Sequence, residues 1–561
     1  MVSWNSIVKK IELHPEASTY SDGILFSNKS LDPVPQHSKE RKWEWFSILG
    51  FWIAEAMSIS MYQVASSSIS AGLSPGLAIL AIFVGHIIVS IPAMLNAYVG
   101  AKYGIGFPLL MRFTGGAAPN FSGSHILVGI RGIVCVIWCG TQSFQGGLCV
   151  QSMLEAIWPS FKTFTNHLPE SAKVTSAELL CFFLFILIQL PVLYLSINQL
   201  RIMFMVKIIL LPIFGIVLFA WAVHGARGFG PIFSQGNNIL DGTPTIVVFF
   251  RCVVSAIGPK ATLALNISDF TRYAKKPKQV WWPQFIGLVL LVTLCGILGI
   301  VVTSATQVIY GVSTWNPLQV ENLWNNRAAK FFSSACWAFA IIGTNVSANT
   351  VSFSYDLSLW FPRWINARRG AYVCMALGVA VCPWFIQYSA KSFSSFLGGY
   401  SMFLAPIAGI MCTDYYILRG RKLNLPGLYK SDGPYRFYHG YNIPCFIAFL
   451  CGIAPNLPGL AWVCGNQNVP KGAIYLYSIS YVPGIVIGAA SYYGICKYFP
   501  KLWMADLESF EEDPGNTFVD PKADQFLEGI ELEGSAEEGS SSSFPEKSNT
   551  HRVNSRSVDS S

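Results

Sequence analysis

The sequence predicts an all-α polytopic membrane protein with twelve transmembrane helices. Three observations lead there. Of 561 residues, 52% are hydrophobic and only 12% charged, whereas a soluble domain carries about 25% charged residues. The runs Leu179 to Ile197, Ile286 to Thr303 and Ala78 to Leu95 contain no Asp, Glu, Lys or Arg. Each approaches the ~20 residues that cross a ~30 Å hydrocarbon core. The Lys and Arg residues, finally, gather in alternate short loops. Too little polar surface is present for a soluble enzyme.

Taken in order, hydropathy places the spans near 47–71, 76–99, 125–150, 177–198, 203–224, 245–268, 283–310, 331–357, 371–389, 394–416, 441–463 and 474–497. Most loop cations, among them Lys102, Arg112, Lys275, Lys276, Lys278, Arg368 and Arg369, fall on one side. The other side holds few, such as Lys162, Lys173 and Arg227. The positive-inside rule then puts both termini in the cytoplasm, a parity that twelve spans satisfy. Residues 1–45 read as a polar cytoplasmic tail without a cleavable signal peptide. Residues 46–498 form the helical domain. Residues 499–561 read as a mostly disordered cytoplasmic tail: from 505 onward they are acidic, then Ser-rich, and cannot bury enough surface to fold alone.

The net charge of +8 makes no basic face interleaved with aromatics, so no nucleic-acid partner is expected. The 14 Cys are scattered without a CxxC pair. Cys135 and Cys139 share a helix face, but two thiols alone make a poor metal site, and they read as small core residues. No metal or cofactor is expected.

The sixth span carries an interruption. Gly258-Pro259 lies in mid-span and Lys260 follows at once, so a broken helix is expected here. The first span is also polar, with Glu55, Ser58, Ser60 and the run Ser66-Ser67-Ser68. A broken, charged helix paired with a polar one about five spans earlier suggests an inverted-repeat transporter. Glu55 and Lys260 stand 205 residues apart, while Trp138 and Asn345, like Gln142 and Asn349, stand 207 apart. Such offsets suit a five-plus-five repeat.

Lys260 near mid-bilayer needs water, a ligand or a counter-charge. It reads either as a structural ion pair with Glu55 or as a donor to a substrate carbonyl. Glu55 reads either as that permanent partner or as a buried carboxyl that takes up and releases a coupled proton. Trp138 and Gln142 share one helix face, and Asn345 and Asn349 repeat the spacing. An indole face with amide donors and acceptors suits a flat polar heterocycle; the same residues also serve as interhelical glue. Arg131, seven residues before Trp138, orients a partner or touches the ligand. His86 reads as packed structurally, and Arg251 and Lys207, nearer span ends, as snorkelling.

Six segments, in order, resemble the nucleobase–cation symporter family 1, in its fungal uracil, uridine and allantoin permease branch. They are Asn28-Lys-Ser-Leu-Asp-Pro-Val-Pro35, Gly258-Pro-Lys-Ala-Thr-Leu-Ala-Leu-Asn266, Ser268-Asp-Phe-Thr-Arg-Tyr-Ala-Lys275, Phe361-Pro-Arg-Trp-Ile-Asn-Ala-Arg-Arg-Gly370, Asp414-Tyr-Tyr416 and Ala454-Pro-Asn-Leu-Pro-Gly-Leu460. The resemblance implies a LeuT-like five-plus-five repeat with two extra spans and broken helices 1 and 6. It implies substrate binding by Trp138, Gln142, Lys260 and Asn349, with Asn349 rather than Asn345 on the ligand. Sodium-coupled relatives use two adjacent hydroxyl residues in the eighth span; here that pair is Gly343-Thr344. With Glu55 in the first span, the resemblance implies proton coupling. The tails resemble those that engage ubiquitin-dependent trafficking machinery.

The expected function is import of uracil, uridine or allantoin with a proton across the plasma membrane. Two alternatives stand beside it: a non-transporting receptor for the same ligands, and a permease for another heterocycle such as thiamine. No metal cluster, nucleophile–base pair or phosphate loop speaks for a membrane enzyme.

Overall fold

Apolar runs of this length satisfy their own backbone only as helices, and the computed structural model is nearly all helix. It describes residues 26–503 apart from Ser196, Asp241 and Ser313, together with Glu12, Leu13 and Tyr20. The rest of the first 25 residues and the tail from 504 onward lie outside the described residues.

The first span is two helices, α1 (Trp45–Ala56) and α2 (Ile59–Ser70), bent by 55°. There follow α3 (Pro75–Tyr103), α4 (Phe107–Gly115), α5 (Gly123–Ile157), α6 (Ser176–Leu193), α7 (Ile197–Gly225) and α8 (Thr245–Asn266). After these come α9 (Pro277–Tyr310), α10 (Pro317–Glu321), α11 (Arg327–Trp360), α12 (Ala367–Ala380), α13 (Ala390–Leu418), α14 (Ile443–Val463), α15 (Lys471–Tyr477) and α16 (Tyr481–Tyr498). Among the described residues nine helices are long and apolar enough to cross a bilayer, or eleven if the bent pairs α1–α2 and α15–α16 each count as one span. The expected ninth span is the 14-residue helix α12.

One expectation is overturned. The sixth span does not break at Gly258-Pro259; α8 runs unbroken from Thr245 to Asn266 with Pro259 inside it. Proline removes a single helical hydrogen bond, and in a membrane bundle neighbouring groups can compensate for it. The break in the first span, by contrast, falls at Met57 and Ser58, where neither Gly nor Pro stands.

Helix α5 packs against α6, α11 and α12. Gly140 and Gly378 bring α5 and α12 into backbone contact: a Cβ on Gly140 would lie 2.3 Å from the Gly378 carbonyl oxygen. Small residues permit this approach. Within α11, residues Asn345–Val351 form a π turn. The polar segment before α1 is laced to the helical body. Asn28 Nδ2 donates to the carbonyls of Pro362 (2.9 Å) and Ile365 (2.8 Å), and Arg41 donates to Val34 and Ala101.

Candidate functional site

The break in the first span builds one wall of the site. Ser58 is extended (φ −143°, ψ 150°), and its Oγ accepts from Met61 N at 3.3 Å, capping α2. The end of α1 leaves carbonyls without helical donors. Lys260 Nζ supplies one, donating to the Glu55 carbonyl oxygen at 3.1 Å, and a cation is favoured at that helix end. The lysine thus meets the Glu55 backbone. The Glu55 carboxylate accepts instead from Ser347 Oγ at 2.6 Å, and its other oxygen is buried without a hydrogen-bond partner among the described residues.

These groups border a small cavity where α1, α2, α5, α8 and α11 converge, lined in part by Glu55, Trp138, Gln142, Lys260, Thr344 and Asn349. Trp138 Nε1 donates to Tyr400 Oη at 3.0 Å, and Phe396 and Phe393 flank the indole with centroids at 5.7 and 6.1 Å. The indole is therefore held by α13. Asn349 Nδ2 lies 3.2 Å from Gln142 Oε1 and 2.9 Å from Asn345 Oδ1. The two asparagines part company here. Asn349 lines the cavity, whereas Asn345 turns to α5 and α6, its Nδ2 within 3.0 Å of Ser143 Oγ and 3.3 Å of Gln189 Oε1.

Arg131 stands outside the cavity. It is fully buried, pairs with the Asp356 carboxylate, donates to the Ser352 carbonyl at 3.1 Å and lies over the Phe107 ring at 4.7 Å. It orients a partner.

Lys207 corrects a second expectation. It does not snorkel; it is fully buried, and its Nζ donates to Thr344 Oγ1 at 2.6 Å. Gly343 leaves the room: a Cβ there would stand 3.0 Å from Lys207 Cδ. Lys207, Leu211, Leu218 and Ala222 form one buried stripe of α7, and that helical spacing was the signal in the sequence. Tyr400 also went unnoticed, although Phe393, Phe396 and Tyr400 recur on one face of α13. A third group, Gln63, Gln145 and Ser60, joins α2 to α5 through bonds of 2.6 and 3.2 Å.

The cavity thus combines an anchored indole, two carboxamides, one carboxylate and a primary ammonium, with the second ammonium against Thr344. Such a set can stack on and hydrogen-bond a flat polar molecule while a single acid changes protonation.

Comparison with known proteins identifies the family and the fold. Residues 33–484 match the family described as permease for cytosine/purines, uracil, thiamine, allantoin. The chain is 32% identical to the allantoin permease of Saccharomyces cerevisiae over 517 residues, covering 87% of this chain and 80% of that protein. It is 31% identical to the uracil permease of the same yeast, over 88% of this chain and 81% of that one. A solved nucleobase-cation-symport-1 family transporter, closed with bromovinylhydantoin bound, superposes with a TM-score of 0.67 at 22% identity. The match covers 86% of this chain and 99% of that one, and shows the shared fold.

Proposed function

Because this chain belongs to the family of permeases for cytosine/purines, uracil, thiamine and allantoin, we propose that it imports a uracil-, uridine- or allantoin-like heterocycle by proton symport. The observation that carries the reading is the convergence of Trp138, Gln142, Asn349 and Lys260 on one cavity. The indole stacks on the ring, the two carboxamides bond its amide edge, and Lys260 donates to a ring carbonyl. The names of the yeast relatives support this class of substrate.

Proton coupling rests on Glu55 and Lys207. The Lys207 ammonium against Thr344 repels a second cation at that place, and Gly343 offers no side-chain oxygen to hold one. Glu55 carries the coupled proton; Ser347, its donor, belongs to the π turn of α11, so protonation alters the tie between α1 and α11.

The same reading takes α12 as the ninth of twelve spans in a five-plus-five repeat, with residues 46–498 as the transporter domain. It places the chain in the plasma membrane with residues 1–45 and 499–561 as cytoplasmic tails, open to ubiquitin-dependent trafficking.

Uptake of labelled uracil, uridine, allantoin and thiamine into cells lacking their own carriers tests this. Saturable uptake of one of the first three, driven by an inward proton gradient, is expected. Uptake of thiamine alone overturns the substrate class, and a sodium requirement overturns the coupling.

A further inference from the structure

We propose a second binding site for the transported heterocycle, in the cavity between Trp43, Phe270 and Tyr355, separated from the central cavity by the Glu55–Ser347 hydrogen bond. The proposal rests on the permease reading above. This lower cavity is bordered by aromatic rings, among them Trp43, Phe51, Phe270 and Tyr355, with Ser347 at its edge.

The two cavities have no lining residue in common, yet Glu55 lines the upper and Ser347 the lower. The 2.6 Å bond between these residues is therefore the partition. On the proposed route a molecule leaving the central site passes this bond and then enters the lower cavity.

The floor is also defined. Trp43 N donates to the Tyr273 carbonyl at 3.0 Å, and Lys275 N donates to the Trp43 carbonyl at 2.8 Å. This short bridge pins the entry of α1 to the segment that follows α8. The lower cavity is thus bordered by the Glu55–Ser347 bond on one side and by this backbone bridge on another.

Its chemistry suits a flat neutral ring. Phe51 and Phe270 lie 4.7 Å apart at an interplanar angle of 37°, with Trp43 6.1 and 6.4 Å from them. Phe204, Tyr273 and Tyr355 add further ring surface and Val351 an aliphatic wall. The polar atoms are mostly engaged. Asp269 accepts from Phe107 N at 2.8 Å and Asn266 Nδ2 at 3.1 Å, and the Tyr273 and Tyr355 hydroxyls meet at 3.4 Å. Ser347 Oγ is engaged by Glu55 and by the Gly343 carbonyl at 2.9 Å. Stacking with few hydrogen bonds makes a weak site, one that receives the heterocycle and passes it on.

Equilibrium binding of labelled uracil and allantoin to the purified full chain tests the proposal. Trp138→Ala removes the central stacking partner. A saturable component, about tenfold or more weaker than wild type, is expected to remain. Adding Phe270→Ala, or Val351→Trp to fill the chamber, should abolish it. Alone, these two substitutions should keep the wild-type dissociation constant within about twofold while lowering the maximal uptake rate. Absence of any saturable component in Trp138→Ala, or its survival in both double variants, overturns the second site and leaves the permease reading standing. Failure of the wild-type chain to bind either probe overturns the second site and excludes uracil and allantoin as substrates.

Discussion

Lys207 Nζ donates to Thr344 Oγ1 at 2.6 Å, so an ammonium from α7 rests on the α11 residue that borders the central cavity. Three residues further along α11, Ser347 holds the Glu55 carboxylate. One stretch of α11 therefore carries contacts to two of the buried charges of the site, Lys260 resting instead on the Glu55 carbonyl. Removing one charge from such a group is costly because the remaining one loses its compensation.

The coupling prediction follows from that arrangement. Glu55→Gln should retain exchange of labelled for unlabelled substrate and lose accumulation driven by pH. Lys207→Ala should lower uptake by about tenfold or more, since it removes the buried donor on Thr344, a loss of about 1–3 kcal/mol. Surface abundance is measured alongside, and the double variant should regain it. Normal pH-driven accumulation in Glu55→Gln would move the proton elsewhere.

For the substrate residues, Trp138→Ala and Asn349→Ala should each abolish saturable uptake at normal surface abundance. Losing a buried polar partner costs about 1–3 kcal/mol. Asn345→Ala should do the reverse, lowering abundance with little change in apparent affinity, because its side chain joins α5 and α6. Identical behaviour of the two asparagine variants would make both of them helix glue.

Arg131 and Asp356 give a stability prediction. Asp356→Asn leaves a fully buried guanidinium without its counter-charge and should destabilise by about 3–5 kcal/mol. Thermal unfolding of the purified protein should show this while substrate affinity is preserved. Replacing both by apolar residues of similar size should recover most of the loss.

Outside the spans, Glu321 on α10 makes a pH prediction. Burial pushes its carboxyl up from 4.5 to about 7, opposed by hydrogen bonds from Ser333 and Ser334. The folded protein keeps this proton to about pH 7, whereas the unfolded chain releases it near 4.5. The Glu321 contribution to stability should therefore be complete below pH 4.5, fall as pH rises to about 7 and be lost above. Glu321→Gln should remove that slope, read as the thermal midpoint against pH.

The long apolar runs and charge asymmetry made the helical bundle legible, because no other structure satisfies the backbone in hydrocarbon. Helix breaks were harder to read. Pro259 advertised one that α8 does not have, since one missing donor is tolerated in a packed bundle. The true break at Met57 and Ser58 carries only a serine cap, a weak local signal. Helical spacing grouped Trp138 with Gln142 and Asn345 with Asn349, but only the family resemblance set Asn349 apart from Asn345. For Lys207 and Tyr400 the spacing marked a buried face but not the partner, which stands 137 and 262 residues away. Lys260 was placed correctly in the bundle, but no pattern says whether an ammonium meets a carboxylate or a backbone carbonyl.

The π turn Asn345–Val351 amounts to one surplus residue within α11. Upstream stands Lys330, paired with Glu155; downstream stands Asp356, paired with Arg131. Excising Ala348 would let the turn relax into an ordinary α-helix while both flanking ion pairs keep their register. A deletion is usually ruinous in a membrane helix, yet here it would leave the bundle assembled and swing Ser347 and Asn349 away from their present bearings. Length variation at this one turn is thus a route by which a permease of this architecture can retune its cavity without rebuilding its frame.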